Sequence, residues 1–111
     1  MNIAFKTKKL EKTFNSKREM DKAYGARMAR ALAIRLAVLR SAQALSMVPS
    51  TPPERRHQLH KDWRGHYAVN LVHPYRLIFK PNHRPLPRLP DGGIDVAEIT
   101  AITIVDVIDY H

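Results

Sequence analysis

The chain has 111 residues, the size of one domain, and its 44% hydrophobic content can build a core without metals or disulfides. The absence of cysteine excludes a disulfide framework and thiolate catalysis and fits a reducing, cytoplasmic setting. Nineteen Lys and Arg against ten Asp and Glu give a formal charge of +9, which reads either as a solvated basic surface or as a field that draws nucleic acid or a ribonucleoprotein.

Met1–Phe5 is short, apolar and alternating, and predicts a first strand. It runs into lysines without the longer apolar stretch of a secretory signal, and nowhere does an apolar run reach the ~18 residues of a membrane span. Thr7–Tyr24 reads as helical, with Leu10, Phe14 and Met20 as buried anchors. Asn15 or Ser16 can cap a second helix within it, and Gly25 closes it. Arg27 to about Ser46 is the clearest helix: Met28, Leu32, Leu36 and Leu39 form one apolar stripe, and Ile34, Val38 and Leu45 a second. Two stripes imply contact with two layers, or with one layer and a partner.

Pro49, Pro52 and Pro53 end that helix. His66–Val72 and Tyr75–Lys80 then read as strands, with Pro74 in the turn between them. Residues 81–93, with four prolines and a closing Asp91-Gly92-Gly93, predict an irregular surface excursion carrying Arg84 and Arg88 at its tip. Ile99–Ile108 is the last strand. Strict alternation puts Ala101, Thr103, Val105 and Val107 on one face and Ile102, Ile104 and Ile108 on the other, so it belongs inside a sheet. Helices followed by a meander of strands predict a single α+β domain spanning 1–111, an antiparallel sheet with helices on one face.

Six histidines occur, five of them after residue 56 if the loop residue His83 is set aside. Neither a zinc-ligand spacing nor a Gly-rich phosphate loop is present, so neither metal nor cofactor is expected. His57 and His60 stand with Lys61 and Arg64 just before the meander, and Arg76 lies near the start of an apolar strand. That arginine either faces solvent, pairs with an acid such as Asp109, or forms a planar fork for phosphate. The terminal Asp109-Tyr110-His111 adds a carboxylate, a phenol and an imidazole at the end of the last strand. Imidazoles, a phenol and fixed cations suit metal-free RNA cleavage, in which the 2′-oxygen attacks the adjacent phosphorus. Histidine, with an unperturbed pKa of about 6.5, can act there as base or acid, and Arg and Lys can hold the phosphorane charge.

Asn2-Ile3-Ala4-Phe5-Lys6, the stretch Leu59 to Tyr67, Tyr75-Arg76-Leu77-Ile78-Phe79 and the terminal Asp106 to His111 together resemble the HigB branch of the RelE/ParE toxin superfamily. The resemblance runs almost end to end in order and spacing. It implies a RelE-like α+β fold and the toxin role in a type II toxin–antitoxin system, with cleavage of mRNA on the translating ribosome. The implied partner is a HigA-type helix-turn-helix antitoxin, through which any contact with DNA would be indirect. By position it makes His57, His60, Arg76, Asp109, Tyr110 and His111 candidate catalytic residues and Lys61, Arg64 and Arg76 candidate RNA-phosphate ligands. Relatives usually carry lysine where this chain has His60, followed by Lys61, so either supplies the cation; Pro74 stands where they often have a polar residue. Either His57 or His111 is the expected base, with Tyr110 beside the scissile step and Asp109 orienting His111 or Arg76. The rival reading is a ParE-like toxin, which shares the fold and inhibits DNA gyrase without cleaving anything.

Overall fold

Residues 1–109 are described by a computed structural model; the expectations for Tyr110 and His111 lie outside the described residues. Five strands, β1 (Asn2–Phe5), β2 (His57–Gln58), β3 (Tyr67–Asn70), β4 (Tyr75–Pro81) and β5 (Ala101–Asp109), form one sheet in the order β1-β5-β4-β3-β2. β1 runs parallel to β5 and every other pair is antiparallel. β5 therefore lies inside the sheet, as its two apolar faces predict.

Three helices connect β1 to the meander: α1 (Lys8–Phe14), α2 (Lys17–Tyr24) and α3 (Ala26–Ser41). Their ends are set by local chemistry. Thr7 Oγ1 accepts from the Leu10 amide at 3.1 Å and Ser16 Oγ from the Glu19 amide at 3.2 Å, which satisfies N–H groups the helices cannot pair themselves. Gly25, at φ 82° and ψ 155°, ends α2 and starts α3 in one residue.

The core lies between the helices and one sheet face. Phe14, Met20, Leu32, Leu36 and Leu39 pack on Tyr67, Val69, Leu77, Phe79, Ile102 and Ile104. Each such burial contributes about 1.5–3 kcal/mol. The stripe Leu32-Leu36-Leu39 is buried as expected, with Met28 at its edge. The second stripe is not a helix face: α3 stops at Ser41, and Leu45 lies in a 3₁₀ turn (Leu45–Met47) where its amide donates to Ile99 O at 2.9 Å. Ile34 is 50% exposed.

Two further expectations are corrected. A bulge at Val105, where Ile78 pairs with Asp106 but Phe79 with Ile104, reverses the alternation of β5. Val107 thus joins Ile102 and Ile104 against the helices, while Ile108 joins Val105 in a second cluster with Leu59, Ala68, Ile78 and Trp63 on the opposite face. The 81–93 excursion is pinned as well as exposed. β4 runs into it as far as Pro81, His83 Nε2 accepts from the Thr100 and Ala101 amides at 3.0 and 3.2 Å, Arg88 bridges Ile94, and Leu86, Ile94 and Val96 pack on the main core. Arg84 and Arg88 are exposed there. Pro74 lies in the turn between β3 and β4. Among the described residues no helix is long and apolar enough to cross a membrane.

Candidate active site

A buried arginine underlies the site. Arg35, on the sheet-facing side of α3, is 9% exposed. Its Nε donates to Asn70 O at 2.7 Å, its Nη2 to Pro53 O at 3.5 Å, and its Nη1 lies 3.9 Å from Glu54 Oε2. Glu54 O in turn accepts from the Asn70 amide at 2.8 Å. The loop before β2 is closed by Arg55 N–Thr51 O and Arg56 N–Pro49 O bonds, both 2.9 Å, and by Arg56 Nε donating to Val48 O at 2.9 Å. Arg55 takes a left-handed φ of 47°, which turns the chain into β2.

That turn aims the Arg55 carbonyl at the next imidazole. His57 Nδ1 lies 2.7 Å from Arg55 O, and His57 Nε2 lies 3.1 Å from Arg76 Nη1. A carbonyl can only accept and a guanidinium can only donate, so the proton sits on Nδ1 and the Nε2 lone pair faces Arg76. In this geometry the second ring nitrogen of His57 is directed at the Arg76 guanidinium. Arg76 stands on β4 with Asn70 across from it on β3 and Ile108 on β5. Asn70 Oδ1 is buried without a hydrogen-bond partner among the described residues.

The other expected residues are placed differently. The register sets Asp109 opposite Tyr75, one step from the Arg76–Ile108 pair. β2 is only two residues long and ends before His60 and Lys61. His60 precedes a 3₁₀ turn at Lys61–Trp63, with Lys61 at φ 56° and Gly65 at φ 82°. His60, Lys61 and Arg64 are exposed on that turn, while Trp63 packs inward against the second cluster and edge-on to His66 at 5.2 Å. The structure brings His57 and Arg76 into contact and leaves His60, Lys61 and Arg64 at the surface of the adjacent turn. Among the described residues no group of three or more His, Cys, Asp or Glu is arranged to hold a metal ion.

The support beneath the site, Arg35 with Glu54, Pro53 and Asn70, is absent from the sequence reading. A signal for it existed: Arg35 stands three residues after Leu32 and four before Leu39, a charge inside the apolar stripe of α3. His83 is a structural acceptor for two backbone amides and not loop decoration.

No family model matches the chain, and no curated protein matches it in sequence. Two solved structures match it in shape. One is the YoeB–YefM complex from Staphylococcus aureus, at TM-score 0.56 and 14% identity over 100% of this chain and 97% of that one. The other is a YoeB/ParE toxin from Agrobacterium tumefaciens, at TM-score 0.59 and 9% identity over 100% of both. The α+β architecture described above is therefore the fold of YoeB and ParE toxin structures.

Proposed function

We propose that the chain is the toxin of a type II toxin–antitoxin system and acts as a metal-independent endoribonuclease on mRNA at the ribosome. The observation that carries this reading is the His57–Arg76 contact, a base held against a phosphate fork on the two strands, β2 and β4, that flank β3. The shared fold with YoeB and ParE toxin structures supports the toxin role, and the solved pairing of one neighbour with YefM supports a protein partner for this chain. The motifs that resemble HigB point to that branch and to a HigA-type helix-turn-helix antitoxin, acting in the cytoplasm.

The reaction follows from the pair. A phosphodiester entering the site accepts the Arg76 fork and so releases His57 Nε2. The 2′-hydroxyl gives its proton to that nitrogen as the 2′-oxygen bonds to phosphorus. The bond from phosphorus to the 5′-oxygen then breaks, and an acid returns a proton to the leaving oxygen. The products are a 2′,3′-cyclic phosphate and a 5′-hydroxyl. Arg76, with Lys61 or His60 from the adjacent turn and Arg64 along the strand, balances the phosphorane charge. His111 is the acid in this scheme, Asp109 orients it, and Tyr110 stacks beside the scissile step.

The test is brief induction of wild type, His57→Ala and Arg76→Ala chains in bacteria, with mapping of new mRNA 5′ ends, repeated with translation initiation blocked. Ends that appear within coding frames and vanish in both variants and in the blocked cells are expected. Growth arrest with intact mRNA would overturn the reading and direct attention to gyrase.

A further inference from the structure

At the far end of the same sheet face is a second group of cations. Lys6 follows β1, Lys80 lies near the end of β4, and Arg84 follows it in the pinned loop. With Asn82 and Thr103 they line a pocket of about 360 Å³. All three cations are exposed, and none has an ion pair among the described residues. Packing like charges round one concavity with no carboxylate between them costs repulsion that a bound anion removes.

The register fixes which face this is. Lys80 pairs with Thr103, Thr103 with Ala4, and Lys6 comes two residues after Ala4. Arg76, Ile78 and Lys80 alternate onto one side of β4, the side away from the helices, where Ile78 joins the second apolar cluster. The cluster therefore lies about 13 Å along β4 from Arg76, at ~3.3 Å per residue. A few nucleotides of extended single strand cover that span. Trp63 packs on the apolar cluster to which Ile78 and Val105 belong.

We propose that Lys6, Lys80 and Arg84 form a second phosphodiester subsite, which grips RNA backbone about 13 Å along the sheet from Arg76. The inference rests on the ribonuclease reading above and adds where the chain holds RNA that it does not cut. The phosphates belong either to the cleaved strand or to ribosomal RNA.

Two triple variants remove the same number of charges: Lys6→Gln/Lys80→Gln/Arg84→Gln in the pocket, and Lys8→Gln/Lys12→Gln/Arg18→Gln on exposed positions of α1 and α2. Binding of a 2′-O-methyl RNA oligonucleotide is measured by fluorescence anisotropy across a potassium chloride series, and binding to ribosomes by co-sedimentation. The pocket variant is expected to bind about ten-fold more weakly at low salt and to lose about 2 from the log–log salt slope, near 0.7 per phosphate contact. The helix variant should shift by less than about three-fold. Weakening toward the oligonucleotide assigns the subsite to the cleaved strand, and weakening toward ribosomes alone assigns it to ribosomal RNA. Equal behaviour of the two variants, or wild-type binding by the pocket variant, overturns the proposal while leaving the nuclease reading intact. A wild type that binds neither RNA nor ribosomes overturns both. Lys80→Gln alone, scored against Lys12→Gln, gives the same comparison should circular dichroism show the triple variant unfolded.

Discussion

In the proposed reaction His57 and Arg76 divide the work, and each has a distinct expected loss. His57→Ala removes the base and should slow single-turnover RNA cleavage by about 10²–10⁴-fold. Arg76→Ala should cost about 10²–10³-fold, and Arg76→Lys should recover only part of that, since an ammonium keeps the charge but lacks the planar fork. Equal rates for the lysine and wild-type proteins would show that Arg76 acts as a point charge. A second residue-scale prediction concerns Tyr67, buried and stacked on Phe79 at 6.2 Å. Burial pushes its phenol above the ordinary 10.0, an effect nearby Arg56 partly offsets. Tyr24 shifts the same way, through burial and then the Asp106 charge. The native state thus keeps protons that the unfolded chain releases near pH 10. Their stabilisation is complete below that pH and is lost as the pH rises through the raised native values. Thermal unfolding across pH 8–12 should show a smaller alkaline loss for Tyr67→Phe than for wild type. At this scale the site was half legible. His57 and Arg76 stood in the sequence as candidates, but their contact depends on a left-handed turn at Arg55 that no residue pattern announces.

The elements show where sequence pattern suffices and where long-range bonds override it. Strand β5, helix α3 and the caps at Ser16 and Gly25 follow from periodicity and local chemistry. The length of β2, the end of α3 and the faces of β5 do not. Past the end of α3 the chain is held by a long-range bond from Leu45 N to Ile99 O, β2 gives way to the 3₁₀ turn at Lys61–Trp63, and the faces of β5 are set by an extra residue that one strand carries and its partner lacks. The Arg35 support was missed for a related reason: a helix pattern marks a charge as misplaced but cannot name the carbonyls that await it. Arg35→Ala should cost about 3 kcal/mol in urea unfolding, by stranding Glu54 and the Asn70 carbonyl in a buried setting. Glu54→Gln should cost nearer 1 kcal/mol, because its 3.9 Å contact with Arg35 is long and the shorter carbonyl bonds remain. Gly25→Ala should cost about 1–3 kcal/mol from backbone strain alone: φ 82° with ψ 155° suits only glycine, and an added Cβ meets nothing within 4 Å.

Across the whole molecule the sheet separates two tasks. One face carries most of the apolar mass, packed on the three helices; the other carries His57, Arg76 and the Lys6–Lys80–Arg84 pocket around a smaller apolar cluster. Stability and the proposed chemistry therefore draw on different residues, and each should be removable without the other. His57→Ala/Arg76→Ala is expected to abolish cleavage while lowering unfolding free energy by less than about 1 kcal/mol, since both side chains are only half-buried and neither belongs to the main core. Gly25→Ala should do the reverse, lowering the urea midpoint while leaving the cleavage rate of the folded fraction unchanged. Urea titration and single-turnover cleavage on the same preparations would test both statements together. A large loss of stability in the double variant would mean that the His57–Arg76 contact also holds β2 onto the sheet. The two-residue length of β2 makes that the point where the separation is most exposed to failure.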